Sequence, residues 1–209
     1  MSLPIVLGIS GASGVIYAMR LLDVLVKSGR DVHVTVSAAG RLVIKQELDF
    51  DLSANPSPAD LAWQSSWLPD ARLIEPSSLG EITVHAHTNF MAPIASGSHL
   101  TDGMVVCPCS GSTMSAVAHG TSANLIHRAA DVHLKERRPL ILVPRETPLS
   151  LVQIDNMKHA AEAGAIVLPA MPGWYHGVKS LGDLVDFVVA RVLDQLRVPH
   201  NLMQRWGKE

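Results

Sequence analysis

Apolar positions along the chain fall into two alternating rhythms. Continuous apolar runs at 4–9, 104–107, 140–143 and 165–168 carry no polar face, and they predict strands buried on both sides; Val32–Val36, with His33 and Thr35 between its valines, reads as a further strand. Residues 82–86 alternate apolar with polar, which is also a strand period. Between these runs the apolar spacing becomes three and four. Residues 14–28 place Val15, Ala18, Leu21, Leu22, Leu25 and Val26 along one helical face, and Gly29 ends the pattern. Further helices are predicted at 38–47, at 111–136 as one or two pieces broken near Gly120, and at 149–163 up to Gly164. The last, 181–197, carries Leu181, Leu184, Val185, Val188, Val192 and Leu196 on one side. The Pro/Ser-rich stretch 48–70, with two tryptophans, is expected to be loop plus a short helix, and 169–179 a Pro/Gly/aromatic loop. Strands alternating with helices predict one α/β domain over 1–209, a Rossmann-like (flavodoxin-like) three-layer sandwich with a mainly parallel sheet. Such sheets bind ligands at the carboxyl ends of their strands, so the residues that follow each strand carry the most information.

Composition narrows the partners. Of the 209 residues, 47% are hydrophobic and only 17% charged, below the quarter or so usual in soluble domains. Two readings of that low charge stand side by side: burial of surface in an oligomer, or an Ala- and Val-rich core. The net charge is −2, and the one short basic run, Lys135-Glu136-Arg137-Arg138, carries its own acid, so no nucleic-acid surface is expected. No apolar stretch approaches the roughly 20 residues that cross a bilayer, and no leader-like pattern opens the chain. The only two cysteines, Cys107 and Cys109, rule out a disulfide framework, and a cytoplasmic location is expected.

The strand ends hold the candidate chemistry. After the first strand comes Gly8-Ile9-Ser10-Gly11-Ala12-Ser13-Gly14. Small residues here permit close backbone approach, and the N–H groups of the next helix suit a phosphate; a tight turn with a capping serine explains the same residues. The glycine spacing is not G-x-G-x-x-G, and Ser37 stands after the second strand where a dinucleotide site places an acid, so a mononucleotide is favoured. Pro108-Cys109-Ser110-Gly111-Ser112-Thr113 forms a second small, hydroxyl-rich turn, and two such turns suggest a shared ligand. Pro144-Arg145-Glu146-Thr147-Pro148 offers a guanidinium for an anion beside a carboxyl able to carry a proton. Tyr175 and His176 sit in the loop after the last strand, and Arg191 borders the apolar stripe of the last helix, either facing an anion or snorkelling to water. His85 and His87 share a strand face, but no Cys or carboxylate pattern completes a zinc site, and no metal is expected.

These segments together resemble the flavin prenyltransferase family, the UbiX-type proteins. The matching pieces are the glycine-rich start, Ala95-Ser96-Gly97-Ser98, Cys107-Pro108-Cys109-Ser110, Arg128-Ala129-Ala130-Asp131-Val132, Leu134-Lys135-Glu136-Arg137-Arg138-Pro139-Leu140, Pro144-Arg145-Glu146-Thr147-Pro148, Tyr175-His176 and Arg205-Trp206. The resemblance implies transfer of a dimethylallyl group from dimethylallyl monophosphate to N5 and C6 of reduced FMN without a metal. The prenylated FMN so made is the cofactor of UbiD-type decarboxylases. By the same resemblance, Gly11, Ala12, Ser13, Ser37, Ser110, Gly111, Ser112, Thr113 and Arg145 contact the flavin. Tyr175, Arg191, Lys135, Phe90 and Trp206 hold the dimethylallyl phosphate, and Glu146, Ser13, Glu47 and Lys135 are the catalytic residues, the first three handling protons. Phe90 stands where related proteins often carry Trp, and Phe is the weaker π partner for a developing cation. The resemblance further implies a homododecamer, with residues 198–209 reaching a neighbouring subunit.

Two alternatives are weighed. FMN-dependent cysteine decarboxylases share the fold but typically carry a Pro-Ala-Ser-Ala-Asn-Thr run and a Met-Asn motif, which positions 107–112 and 144–148 lack. A non-catalytic flavin-binding protein is disfavoured by the presence of Lys135, Glu146, Tyr175 and Arg191.

Overall fold

The computed structural model describes residues 2–76, 78–205 and 207. Its described elements are β1 (Ile5–Ile9), α1 (Val15–Lys27), β2 (Val32–Val36), α2 (Ala38–Leu48), β3 (Ile82–Ala86), β4 (Gly103–Cys109), α3 (Gly111–Ala118), α4 (Leu125–Lys135), β5 (Leu140–Pro144), α5 (Leu151–Glu162), β6 (Ile166–Val167) and α6 (Leu181–Gln195). The six strands pair in the order β3-β2-β1-β4-β5-β6, every pair parallel, which is the doubly wound Rossmann order. The chain winds outward from β1 on one side and from β4 on the other, so the switch point lies between their carboxyl ends.

Period-two side-chain alternation explains why these strands read as unbroken apolar runs. Ile5, Leu7 and Ile9 pack with α1 and α6 on one face of the sheet. Val6, Met104 and Val106 pack with Met114 of α3 and Leu125, Ile126 and Ala129 of α4 on the other. Both faces are apolar because both are covered. Pro108 has no N–H for the ladder, and it falls where the β4–β5 register shifts between Val106 and Cys109.

The expected helix over 111–136 is two helices, and the strand expected at 165–168 shortens to Ile166–Val167. The 48–70 stretch holds two short 3₁₀ turns, and its Leu52, Leu61 and Leu68 are buried in the α1/α6 face. Arg20 of α1 is 1% exposed yet charged. Its Nε donates to Asp186 Oδ1 of α6 at 2.8 Å, NH1 to Asp23 at 3.0 Å, and NH2 to the Arg72 carbonyl at 2.7 Å. Lys27 pairs with the far oxygen of Asp23 at 2.8 Å, and the Arg20 guanidinium also lies 5.6 Å from the Trp63 ring.

Val198 and Leu202 are buried in the chain's own core, and Arg205 donates to Asp194 of α6 at 2.7 Å. Within the chain, the tail up to Arg205 thus has contacts to its own core; Trp206, Lys208 and Glu209 are outside the described residues.

Candidate active site

The β1 and β4 turns meet at the switch point through one hydroxyl. Ser10 Oγ donates to the Pro108 carbonyl at 2.8 Å and accepts the Ser110 N–H at 2.8 Å, and Ser10 is 2% exposed. Gly11 faces the start of α2 so closely that a Cβ there would overlap the Ala39 methyl. Ser37 caps α2 by accepting the Gly40 N–H at 2.9 Å. Ser110 caps α3 through the Thr113 N–H at 3.3 Å, and its hydroxyl also meets Ser112 and Thr113 hydroxyls at 3.1 Å each. Ser13 and Ser112 are exposed, Ala12 and Thr113 buried, so the two turns present hydroxyls over a packed base.

Gly14 adopts φ 99° at the start of α1, a left-handed backbone that glycine accepts without strain. The N–H groups here are not all free for an anion, as the sequence suggested. Gly14 N–H is shared by both oxygens of Glu47 at 3.0 Å, and Val15 N–H donates to Glu47 Oε2 at 2.9 Å. A carboxylate at this end also suits the helix dipole. Glu47 thus has a structural duty that its place on α2 did not reveal.

Arg145 follows β5, and its Nε donates to the Ser13 carbonyl at 3.4 Å. It lies beside the half-buried Tyr17 ring, whose phenol is pushed up by burial and by Cys107, against the pull of Arg145. Glu146 is exposed. Its Oε1 accepts the Thr147 N–H at 3.2 Å, and its Oε2 accepts Gln153 Nε2–H at 3.2 Å. Small pockets flank this tip: one reaches Pro169, Ala170 and Met171, the other Cys109, Gly111, Met114 and Met157. Cys107 and Cys109 are buried thiols that burial keeps neutral, Cys109 being pushed up to about 12. Sequence reasoning overlooked Tyr17 and Gln153; the second carries a legible signal, the Ser150-x-x-Gln153 capping box.

Several other expected site residues make contacts elsewhere in the chain. Lys135 ends α4 and pairs with Glu136 at 2.5 Å. Arg191 of α6 pairs with Asp194 at 2.7 Å. Tyr175 stacks edge-on against Phe187 and His176, and Phe90 is exposed in the loop after β3. A cleft of about 980 Å³ lies at the opposite end of the sheet, where Asp102, Pro139 and Ile166 mark strand starts. Its lining of arginines and aspartates does not include the strand-tip residues, and the switch-point argument places the chemistry at the other end. Among the described residues, no group of three His, Cys, Asp or Glu side chains is placed to hold a metal.

The strand order, with hydroxyl-rich turns at β1 and β4 and a guanidinium at β5, defines a doubly wound α/β protein built for a phosphorylated mononucleotide. The flavoprotein family model matches residues 1–193. A flavin prenyltransferase UbiX from Pseudomonas aeruginosa is 48% identical over 98% of this chain and 94% of its own length. Among solved structures, AnUbiX (PadA1) in complex with FMN and dimethylallyl pyrophosphate aligns over 100% of both chains, with TM-score 0.83 and 33% identity. A dodecameric FMN-dependent UbiX-like decarboxylase from Escherichia coli O157:H7 aligns over 98% of this chain and 100% of its own, with TM-score 0.80 and 32% identity. The chain belongs to the flavoprotein family, among its UbiX-type flavin prenyltransferases.

Proposed function

We propose that this chain transfers a dimethylallyl group from dimethylallyl monophosphate to N5 and C6 of reduced FMN. The observation that carries the reading is the convergence of the Ser10–Gly14 and Ser110–Thr113 turns with Arg145 and Glu146 at one end of the sheet. These residues fit FMN. The crowded Gly11 leaves a concave backbone, Ser13, Ser37, Ser110, Ser112 and Thr113 offer hydroxyls to a phosphate or ribityl chain, and Arg145 offers a cation. Bound reduced FMN supplies the nucleophilic positions that receive the prenyl group.

The chain's own residues do the rest. Arg145 holds an anion at the tip of β5, and Glu146 gives the departing phosphate its proton. Lys135 and Arg191 as cations, and Tyr175 as a hydroxyl donor, hold the phosphate in place of a metal and stabilise its developing charge. Phe90 and Trp206 offer π faces to the allyl group. Ser13 and Glu47 handle protons near the acceptor, with Glu47 already seated at the α1 N-terminus.

We propose that neighbouring subunits of a homododecamer bring Lys135, Tyr175 and Arg191 to the tip cluster. The exposed apolar side chains Leu151, Val152, Ile154, Met171, Trp174 and Leu181 support such an assembly. Light scattering on the purified protein tests it: a twelve-subunit mass is expected, and a monomer would overturn it. We further propose that the prenylated FMN passes to a UbiD-type decarboxylase and that the enzyme works in the cytoplasm; no described helix is long and apolar enough to cross a membrane. The cysteine decarboxylase alternative is not favoured, since Cys107-Pro108-Cys109-Ser110-Gly111-Ser112 replaces its Pro-Ala-Ser-Ala-Asn-Thr run.

The test is anaerobic. Protein, reduced FMN and dimethylallyl monophosphate are mixed and the flavin mass is read. Gain of one five-carbon prenyl unit is the expected result. An unchanged flavin with both the mono- and the diphosphate donor would sink the reading.

A further inference from the structure

Gln153 sits where a structural cap and the tip of β5 meet. Its N–H donates to Ser150 Oγ at 3.3 Å, and its side-chain Oε1 accepts the Ser150 N–H at 2.8 Å. This reciprocal pair is the capping box of α5. Because a backbone N–H holds Oε1, the amide NH₂ must point the other way. It points at Glu146, with Nε2 3.2 Å from Oε2. The start of α3 closes on the same amide: a Cβ at Gly111 would lie 3.3 Å from Gln153 Nε2. The second Glu146 oxygen holds the Thr147 N–H at 3.2 Å. One donor on each oxygen fixes the plane of the carboxyl group and leaves lone pairs on both oxygens for a ligand.

We propose that Gln153 is a positioning residue for prenyl transfer, holding Glu146 through its amide while the same side chain caps α5. The inference rests on the function proposed above. An amide donor favours the charged form of a carboxylate. Within the chain the other ionisable groups facing Glu146 are Arg145 from the same loop and Cys109 from β4, while α3, α5 and the 169–171 segment contribute none to its pockets; in the proposed assembly Lys135, Tyr175 and Arg191 join them and are the same in every variant compared. Arg145 stays charged, and Cys109 stays a neutral thiol near neutral pH.

The decisive variant is Gln153→Glu. A glutamate at this position completes the same box, since either oxygen accepts the Ser150 N–H. It replaces the donor facing Glu146 with a like charge. Single-turnover prenylation is followed against pH in the wild-type, Gln153→Glu and Glu146→Gln proteins. The limb that disappears in Glu146→Gln is the one Glu146 controls. In Gln153→Glu that limb is expected to move to higher pH by about one unit, with the thermal midpoint and FMN affinity unchanged. Gln153→Met, which has the size without donor or acceptor, moves it the same way by less and serves if the glutamate variant does not fold. A slower rate with the limb in place means a capping role alone and overturns the inference. A wild-type protein that leaves flavin unprenylated overturns the proposed function instead, so the two failures are distinct.

Discussion

Glu47 closes both of its carboxylate oxygens onto the Gly14 N–H, each at 3.0 Å. With the Val15 bond this makes α2 supply the cap that α1 lacks, for Gly14 has no side chain to do so. Glu47→Ala is expected to lower unfolding stability by about 1 kcal/mol, the usual worth of a cap. Glu47→Gln keeps an acceptor oxygen and loses only part of that. Prenylation slowed equally in both variants, measured in single turnovers, is the outcome that assigns Glu47 a proton as well as a cap.

The Glu146 carboxyl is expected to act on the leaving phosphate. Glu146→Gln should keep FMN binding and slow prenylation by about a hundredfold or more, the low end for general acid catalysis. Stopped-flow single turnovers read this directly, and an unchanged rate would remove Glu146 from the mechanism.

Gly11 has no room for a methyl against Ala39. Gly11→Ala is expected to push the β1 turn off α2, lowering stability by about 1–3 kcal/mol as overpacking does and weakening FMN binding. Flavin fluorescence titration and thermal unfolding check the two effects together. Retention of both would mean the turn shifts freely.

The Arg20 network predicts an asymmetry between single and double variants. Asp186→Ala leaves a guanidinium that is 1% exposed with Asp23 as its only carboxylate, one already shared with Lys27, at a cost of up to about 3–5 kcal/mol. Arg20→Met combined with Asp186→Leu should cost less, because Lys27 still neutralises Asp23 at 2.8 Å. Chemical denaturation of the three proteins tests the order.

His133 makes stability depend on acid. Its Nδ1–H donates to the Ala129 carbonyl at 2.7 Å, and Nε2 accepts the Thr101 hydroxyl at 2.8 Å. Burial first, then nearby Arg138, lowers it to about 4. The unfolded chain takes up that proton near pH 6.5 and the folded one does not, so stability is full above 6.5 and falls as pH drops toward 4. His33, lowered to about 4 by burial and by His85, adds in the same direction. Denaturation midpoints at pH 7 and pH 4.5 should differ in wild type, and the difference should shrink in His133→Gln.

The sheet was legible because burial on both faces leaves an unmistakable mark, apolar runs such as 104–107 that no amphipathic helix produces. The tips were legible because a strand-to-helix turn concentrates its small and hydroxyl residues in one short stretch. Arg20 and Glu47 were not. Their partners lie 166 and 33 positions away, and nothing in local spacing marks an arginine inside an apolar stripe as paired rather than displaced. Lys135 and Arg191 were legible as charges but not in place, since within one chain each is held by a neighbour on its own element or beside it.

The Ser10 hydroxyl, which donates to Pro108 and accepts from Ser110, has a thermodynamic consequence. It joins two turns about a hundred residues apart in sequence into a single body. A ligand spanning them meets donors whose disorder was removed when the chain folded, so that entropy is not lost again on binding. Calorimetry of FMN binding should then show a smaller entropic penalty for the wild type than for Ser10→Ala, in which each turn must be ordered separately.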